Sequence, residues 1–205
     1  MFRRALTSYD ALNTAHPTAT KLGSTVVICT FGDVTAQRIQ HGQLAKASRG
    51  DGEGGSVTPF KMDARRVVAF ASFGVLYTGW FQMHWFRVLQ SWFPRAPGAG
   101  AATFFSKPTL GPLLVNQLVM VPAGYYPFYF SWTGFVRGFS FAESKAAMRE
   151  KYRLDLLARN WAFWLPAQGV QFAFVPTSYH ILYVSTMGLA WNTILSLVTL
   201  SSAKK

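Results

Sequence analysis

Asp33 is the residue of this 205-residue chain whose position demands most explanation. It interrupts a Gly/Ser/Thr-rich stretch from Pro17 to Gln37 whose uncharged part is 22–32. A carboxylate at the centre of a membrane helix costs about 2.5–3.5 kcal/mol on insertion scales, so it faces a bundle interior or a water-filled cavity. If the helix instead ends near Gly32, Asp33 sits at the interface, and residue types alone leave both placements open. Gln37, four residues on, shares its helical face. A second polar set is Asn116 with Gln117, and Gln168 with Gln171 three residues further on. Amides in lipid seek partners across helices, for a net gain of about 0.6–2 kcal/mol each. They read first as bonds between helices and second as pore lining. Asp33, Gln37, Asn116, Gln117, Gln168 and Gln171 are therefore the candidate pore-lining or polar-core residues.

Other chemistry is poorly provided for. His84 and His180 stand beside aromatics and read as interfacial donors rather than catalytic bases. No Ser-His-Asp order, HExxH, phosphate loop or dinucleotide glycine pattern is present, and nothing supplies nucleophile, base and orienter together. No enzymatic activity is expected. The single cysteine, Cys29, excludes an intramolecular disulfide, and no Cys/His spacing suits zinc; neither metal nor cofactor is expected. Gly74 and Gly79 are five apart rather than four, which gives no helix-dimer motif.

The elements that must position these residues follow from the charges. Only 14% of the chain is charged against 50% apolar, and the windows 67–86, 108–136 and 160–203 contain no Asp, Glu, Lys or Arg. A span needs about 20 such residues. The predicted fold is all-α, a multi-pass membrane helical bundle with four membrane segments or, alternatively, five, in one domain over 1–205. Window 67–86 has the length of one span and ends in the aromatic belt Trp80, His84, Trp85 and Phe86. Window 108–136 contains Pro112, Pro122 and Pro127 and predicts a kinked or broken helix facing protein. The last window predicts two antiparallel segments, about 158–175 and 178–200, parted at Pro176. Residues 38–66, with the Gly run 50–55, predict a flexible loop, 87–107 a loop, and 137–159 an amphipathic surface segment. The first twelve residues predict a basic interfacial arm or a weak mitochondrial import signal.

Twenty Lys and Arg against eight Asp and Glu give a net charge of +12. Nucleic acid and an anionic membrane surface both suit that excess. The basic residues lie between the apolar windows rather than on an aromatic-studded face, so the expected partners are membrane lipids and not nucleic acid. Copies of the same chain are a further candidate partner, and the transported solute is left unspecified. Loops 38–66 and 137–159 hold six basic residues each and 87–107 three. The positive-inside rule places the first two on one side, and four spans would put both termini opposite them.

Laid end to end, these positions resemble a known family, the small membrane proteins named for Mpv-seventeen and the twenty-two-kilodalton peroxisomal membrane protein. The resemblance runs over nearly the whole chain: Tyr9, Leu12, Pro17, Thr20, Gly32-Asp33 and Gln37; then Asp63, Arg66, His84-Trp85-Phe86 and Pro94. It is most specific in Asn160-Trp161, Trp164, Pro166, Gln168, Phe172, Val175-Pro176, Tyr179 and Trp191-Asn192. Trp80, Asn116, Gln171 and His180 depart from the family pattern, which has proline, aspartate, asparagine and arginine there. The resemblance implies a four-span protein of the mitochondrial inner membrane or, alternatively, the peroxisomal membrane, with no enzymatic reaction. It further implies a channel or metabolite carrier in organelle homeostasis; the expected function is a weakly selective one, whose conductance Asp33→Asn should change. The alternative function is a non-conducting membrane scaffold or partner-binding protein.

Overall fold

The computed structural model describes residues 2–50, 59–95, 104–151 and 154–202. Asp51–Gly55 of the glycine run, Pro97–Ala102, Tyr152, Arg153 and Lys204 lie outside them. Every regular element among the described residues is helical. They are α1 (Phe2–Ala15), α2 (Pro17–Gly50), α3 (Ala64–Phe73), α4 (Gln82–Trp92), α5 (Lys107–Leu114), α6 (Tyr126–Arg137), α7 (Phe141–Lys151), α8 (Leu154–Phe174) and α9 (His180–Ser202). A π-helical segment, Gly74–Phe81, joins α3 to α4 without a break, and another, Val115–Tyr125, joins α5 to α6. The described residues thus form five long helical rods: α2, α3–α4, α5–α6, α8 and α9.

Local chemistry fixes the ends. The Asp63 carboxylate accepts the Arg66 backbone N–H at 3.0 Å and caps α3. Helix α4 stops at Trp92 because the residue before Pro94 is driven from the helical region. Pro108 enters the first turn of α5, where its missing N–H costs nothing. Gly138, at φ +85°, ends α6 in the left-handed conformation that favours glycine, and the Phe139 N–H returns to the Gly134 carbonyl at 2.8 Å. Ser140 and Glu143 then cap α7 reciprocally; the Ser140 hydroxyl and backbone N–H hold the exposed Glu143 carboxyl below its usual range. Pro176 separates α8 from α9.

Two expected loops are shorter than composition suggests. The flexible loop predicted over 38–66 is helical as far as Gly50 and again from Ala64, because Arg38–Arg49 contains good helix formers and only one glycine, Gly42. Extended residues 59–63 fold back on α2, where Phe60 meets the His41 ring edge-on and lies beneath the Arg38 guanidinium. The predicted loop 87–107 is helical to Trp92 and from Lys107. The predicted surface segment 137–159 contains α7 but also the first turns of α8. The Pro-rich window 108–136 is not broken: a π-segment takes up Pro122 within a continuous rod.

No helix among the described residues is long and apolar enough to cross a membrane. Helix α2 has 34 residues but carries Lys21, Asp33 and Arg38, and the two composite rods reach their length only by joining α and π segments.

Rod α3–α4 runs antiparallel to α2: Arg66 meets Asp33, Gly74 meets Cys29 and Gly79 meets Leu22. Helix α9 lies parallel to α2, with Ser185 beside Thr25 and Leu189 beside Gly32. One bundle end gathers the start of α2, the end of α4, the start of α5 and the α8–α9 turn. The other gathers residues 59–63, the α6–α7 turn and the end of α9, so five rods put the C-terminal helix end beside the basic loops. At the first end, Met83, Phe86, Leu89, Leu113, Phe172, Ile181 and Val184 form an apolar core.

Gly74 and Gly79, five apart, both face α2. The i→i+5 bonding of the π-segment brings residues at that spacing toward one side. A Cβ on Gly74 would lie 2.6 Å from Cys29 Sγ, and one on Gly79 would lie 2.7 Å from Leu22 Cδ2. Gly74→Val should therefore cost about 1–3 kcal/mol through overpacking. A thermal midpoint unchanged from the parent protein would show that α2 is free to move away.

Candidate functional site

Asn116 and Gln117 are the second and third residues of their π-segment, and α8 aims Gln168 at them. Asn116 Nδ2 donates to Gln168 Oε1 at 2.9 Å and Gln117 Nε2 donates to the same oxygen at 2.8 Å. Trp85 Nε1 donates to Asn116 Oδ1 at 2.8 Å, and Trp161 Nε1 to the Gln117 carbonyl at 3.2 Å. Three elements, α4, the second π-segment and α8, are joined through one buried amide set.

This set forms one wall of a cavity of about 90 Å³ between the two π-segments, α2, α8 and α9. Thr78, Gln82, Asn160, Ser185 and Asn192 supply further polar groups, and Tyr77, Tyr125 and Tyr129 an aromatic side. Asn160 Nδ2, Gln117 Oε1 and Gln82 Oε1 are buried with no hydrogen-bond partner among the described residues. Inward-facing polar groups without partners are what a bundle presents when water or a polar solute completes its hydrogen bonds. Asn160 is a site residue the sequence reading missed, although its spacing could have shown it, since Asn160, Trp164 and Gln168 recur every four residues along α8. Gln171 is buried but is not among the cavity-lining residues, and both its amide atoms lack partners among the described residues.

Asp33 and Gln37 stand apart from this cavity. Asp33 is 1% exposed, and α2 runs on past Gly32 to Gly50, so its carboxylate faces the bundle interior. Its Oδ1 accepts from Arg66 Nε at 2.8 Å and its Oδ2 from Gln37 Nε2 at 2.7 Å. Gln37 Oε1 accepts the Asp63 backbone N–H at 2.8 Å, and Arg66 Nη1 reaches Gln40 Oε1 at 2.8 Å. The six candidates thus fall into an amide set around the cavity, an ion-pair set locking α2 to the start of α3, and Gln171 alone. Arg66 was missed as Asp33's partner because 33 residues separate them.

The histidines act as donors. His84 Nδ1 meets the Trp80 carbonyl at 2.8 Å, and His180 Nε2 the Val175 carbonyl at 3.0 Å with its ring between Phe86 and Phe172. Among the described residues no group of His, Cys, Asp and Glu could hold a metal ion.

The outer surface inverts this pattern: Val27, Phe31, Val68, Trp80, Leu118, Val119, Phe135 and Phe174 are exposed. Fold and site together define a protein, helical in every regular element of its described residues, with buried polar clusters beside an apolar core and many large apolar side chains exposed. The Mpv17 / PMP22 family model matches residues 134–196. Over 207 residues, all of this chain and 96% of the other, it is 30% identical to Protein sym1 of Schizosaccharomyces pombe. It is 24% identical to Peroxisomal membrane protein 2 of Bos taurus over 95% of this chain and 89% of that one. Identity to Mitochondrial inner membrane protein Mpv17 of Danio rerio is 25%, over 92% and 93%. The chain belongs to the Mpv17 / PMP22 family. No solved structure matches it.

Proposed function

We propose that this protein is an integral membrane protein of an organelle, forming a weakly selective channel or metabolite carrier. The observation that carries this reading is a cavity lined by buried amides, three of whose polar atoms have no partner among the described residues, inside a bundle that exposes many large apolar side chains. Lipid is the solvent that makes such an exterior favourable, and unpartnered interior amides suit a passing polar solute. The names of the fish and bovine relatives support the mitochondrial inner membrane first and the peroxisomal membrane second. The composite rods are long enough to span when α and π segments act together. Asn116, Gln117 and Gln168 line the route, Asn160 and Gln82 extend it, and the Asp33–Arg66 lock holds α2 in place beside it.

Asn160→Leu is the informative substitution, because Asn160 Nδ2 has no partner to lose. In planar bilayers the parent protein should conduct, and Asn160→Leu should lower its conductance severalfold with an unchanged thermal midpoint. Equal conductance in both would remove the cavity from the pathway. No conductance in either would favour the scaffold reading, which the sharing of Gln168 Oε1 by two donors supports. Tagged full-length protein, with and without residues 1–12, should localise to mitochondria and lose that localisation on truncation.

A further inference from the structure

Lys21 is a lysine where a helical bundle has little use for one. It is 9% exposed, and no hydrogen bond or ion pair among the described residues holds its ammonium. It opens onto a second cavity of about 240 Å³, lined also by Arg87, Gln90, Thr177, Ser178 and His180. One water needs only about 15 Å³ by the same measure. A smaller cavity of about 130 Å³ shares Gln90, Thr177 and His180 with it and adds Arg95.

The surroundings are one-sided in charge. Arg87 is near enough for its charge to act on the Lys21 ammonium, and neither has a carboxylate at salt-bridge distance among the described residues. Among the described residues, the acid at this end is Asp10, which accepts the Tyr179 hydroxyl, while Tyr9 stacks on the Tyr179 ring. The hydroxyls of Thr177 and Ser178 lie at the entry to α9, whose N-terminal dipole adds further positive potential. Two like charges on one wall, one of them buried, are stable together when an anion sits between them.

The geometry points to a phosphate-binding site here, taking the phosphate of a lipid headgroup or of a soluble phosphomonoester through Lys21 and Arg87, with Thr177, Ser178 and Gln90 as hydrogen-bonding partners. Phosphate offers several acceptor oxygens to match this donor-rich, acid-free lining. The site is separate from the amide cavity, and binding to it is measurable whether or not the protein conducts.

Inorganic phosphate titrated into the full-length protein in uncharged detergent should raise its thermal midpoint, and Lys21→Gln/Arg87→Gln should weaken the response at least about tenfold, as expected when charged hydrogen bonds are lost. Lys145→Gln, at the other end, should respond like the parent. If the double variant does not fold, Arg87→Gln alone carries the test. Vesicles of phosphatidylcholine with or without phosphatidic acid separate the sources. Headgroup binding that free phosphate does not compete with assigns the site to lipid, and competition assigns it to either source. No response to phosphate or to phosphatidic acid, or a double variant that responds like the parent, would overturn the assignment.

Discussion

Gln168→Leu should lower the thermal midpoint of the detergent-solubilised protein by about 5–15 °C. The substitution removes one acceptor but orphans two buried donors, Asn116 Nδ2 and Gln117 Nε2. Each orphaned donor costs about 1–3 kcal/mol, and a chain of this size loses about 2–4 °C per kcal/mol. Interhelical hydrogen bonds measured in lipid average only about 0.6 kcal/mol. A shift under about 2 °C would therefore mean that both donors find other partners, and that the shared oxygen is not what holds α8 to rod α5–α6.

The second large effect lies at the other bundle end. Arg66→Leu leaves the Asp33 carboxylate, 1% exposed, with no cation, and breaking a buried pair from one side costs about 3–5 kcal/mol. Gln37 alone remains to donate to it. The double variant Asp33→Asn/Arg66→Leu should recover most of the loss, since a neutral amide in place of the carboxylate removes the unpaired charge. Chemical denaturation of the parent, Asp33→Asn, Arg66→Leu and the double variant gives the coupling directly. A double variant as unstable as Arg66→Leu would show that the pair contributes nothing beyond the packing of the arginine stem.

The residues also show where sequence reading stops. Asp33 and Gln37 were placed on one face because helical spacing is local, and their direct bond follows from it. Arg66, Gln40 and Asp63 were invisible as partners because that contact depends on how α2 and α3 cross. Charge-free windows marked three stretches of helix, but ends were misjudged wherever composition stood in for capping, as in the helical 38–50. The Gly74 and Gly79 spacing was dismissed on an α-helical assumption that the π-segment invalidates. Of the cavity, the amides sharing Gln168 were legible because buried amides are rare and conspicuous. Gln82, Ser185 and Asn192 were not, because ordinary polar residues become site residues only when tertiary packing turns them inward.

The parallel packing of α2 along α9 has a consequence for how the chain is made. The first long helix is covered by the last, with Thr25 against Ser185 and Gly32 against Leu189. During synthesis, that side of α2, with its buried threonine, waits uncovered until almost the whole polypeptide has emerged. A premature stop after the α8–α9 turn therefore removes far more than a tail: it leaves the nascent bundle open along its whole length, a natural target for proteolytic clearance.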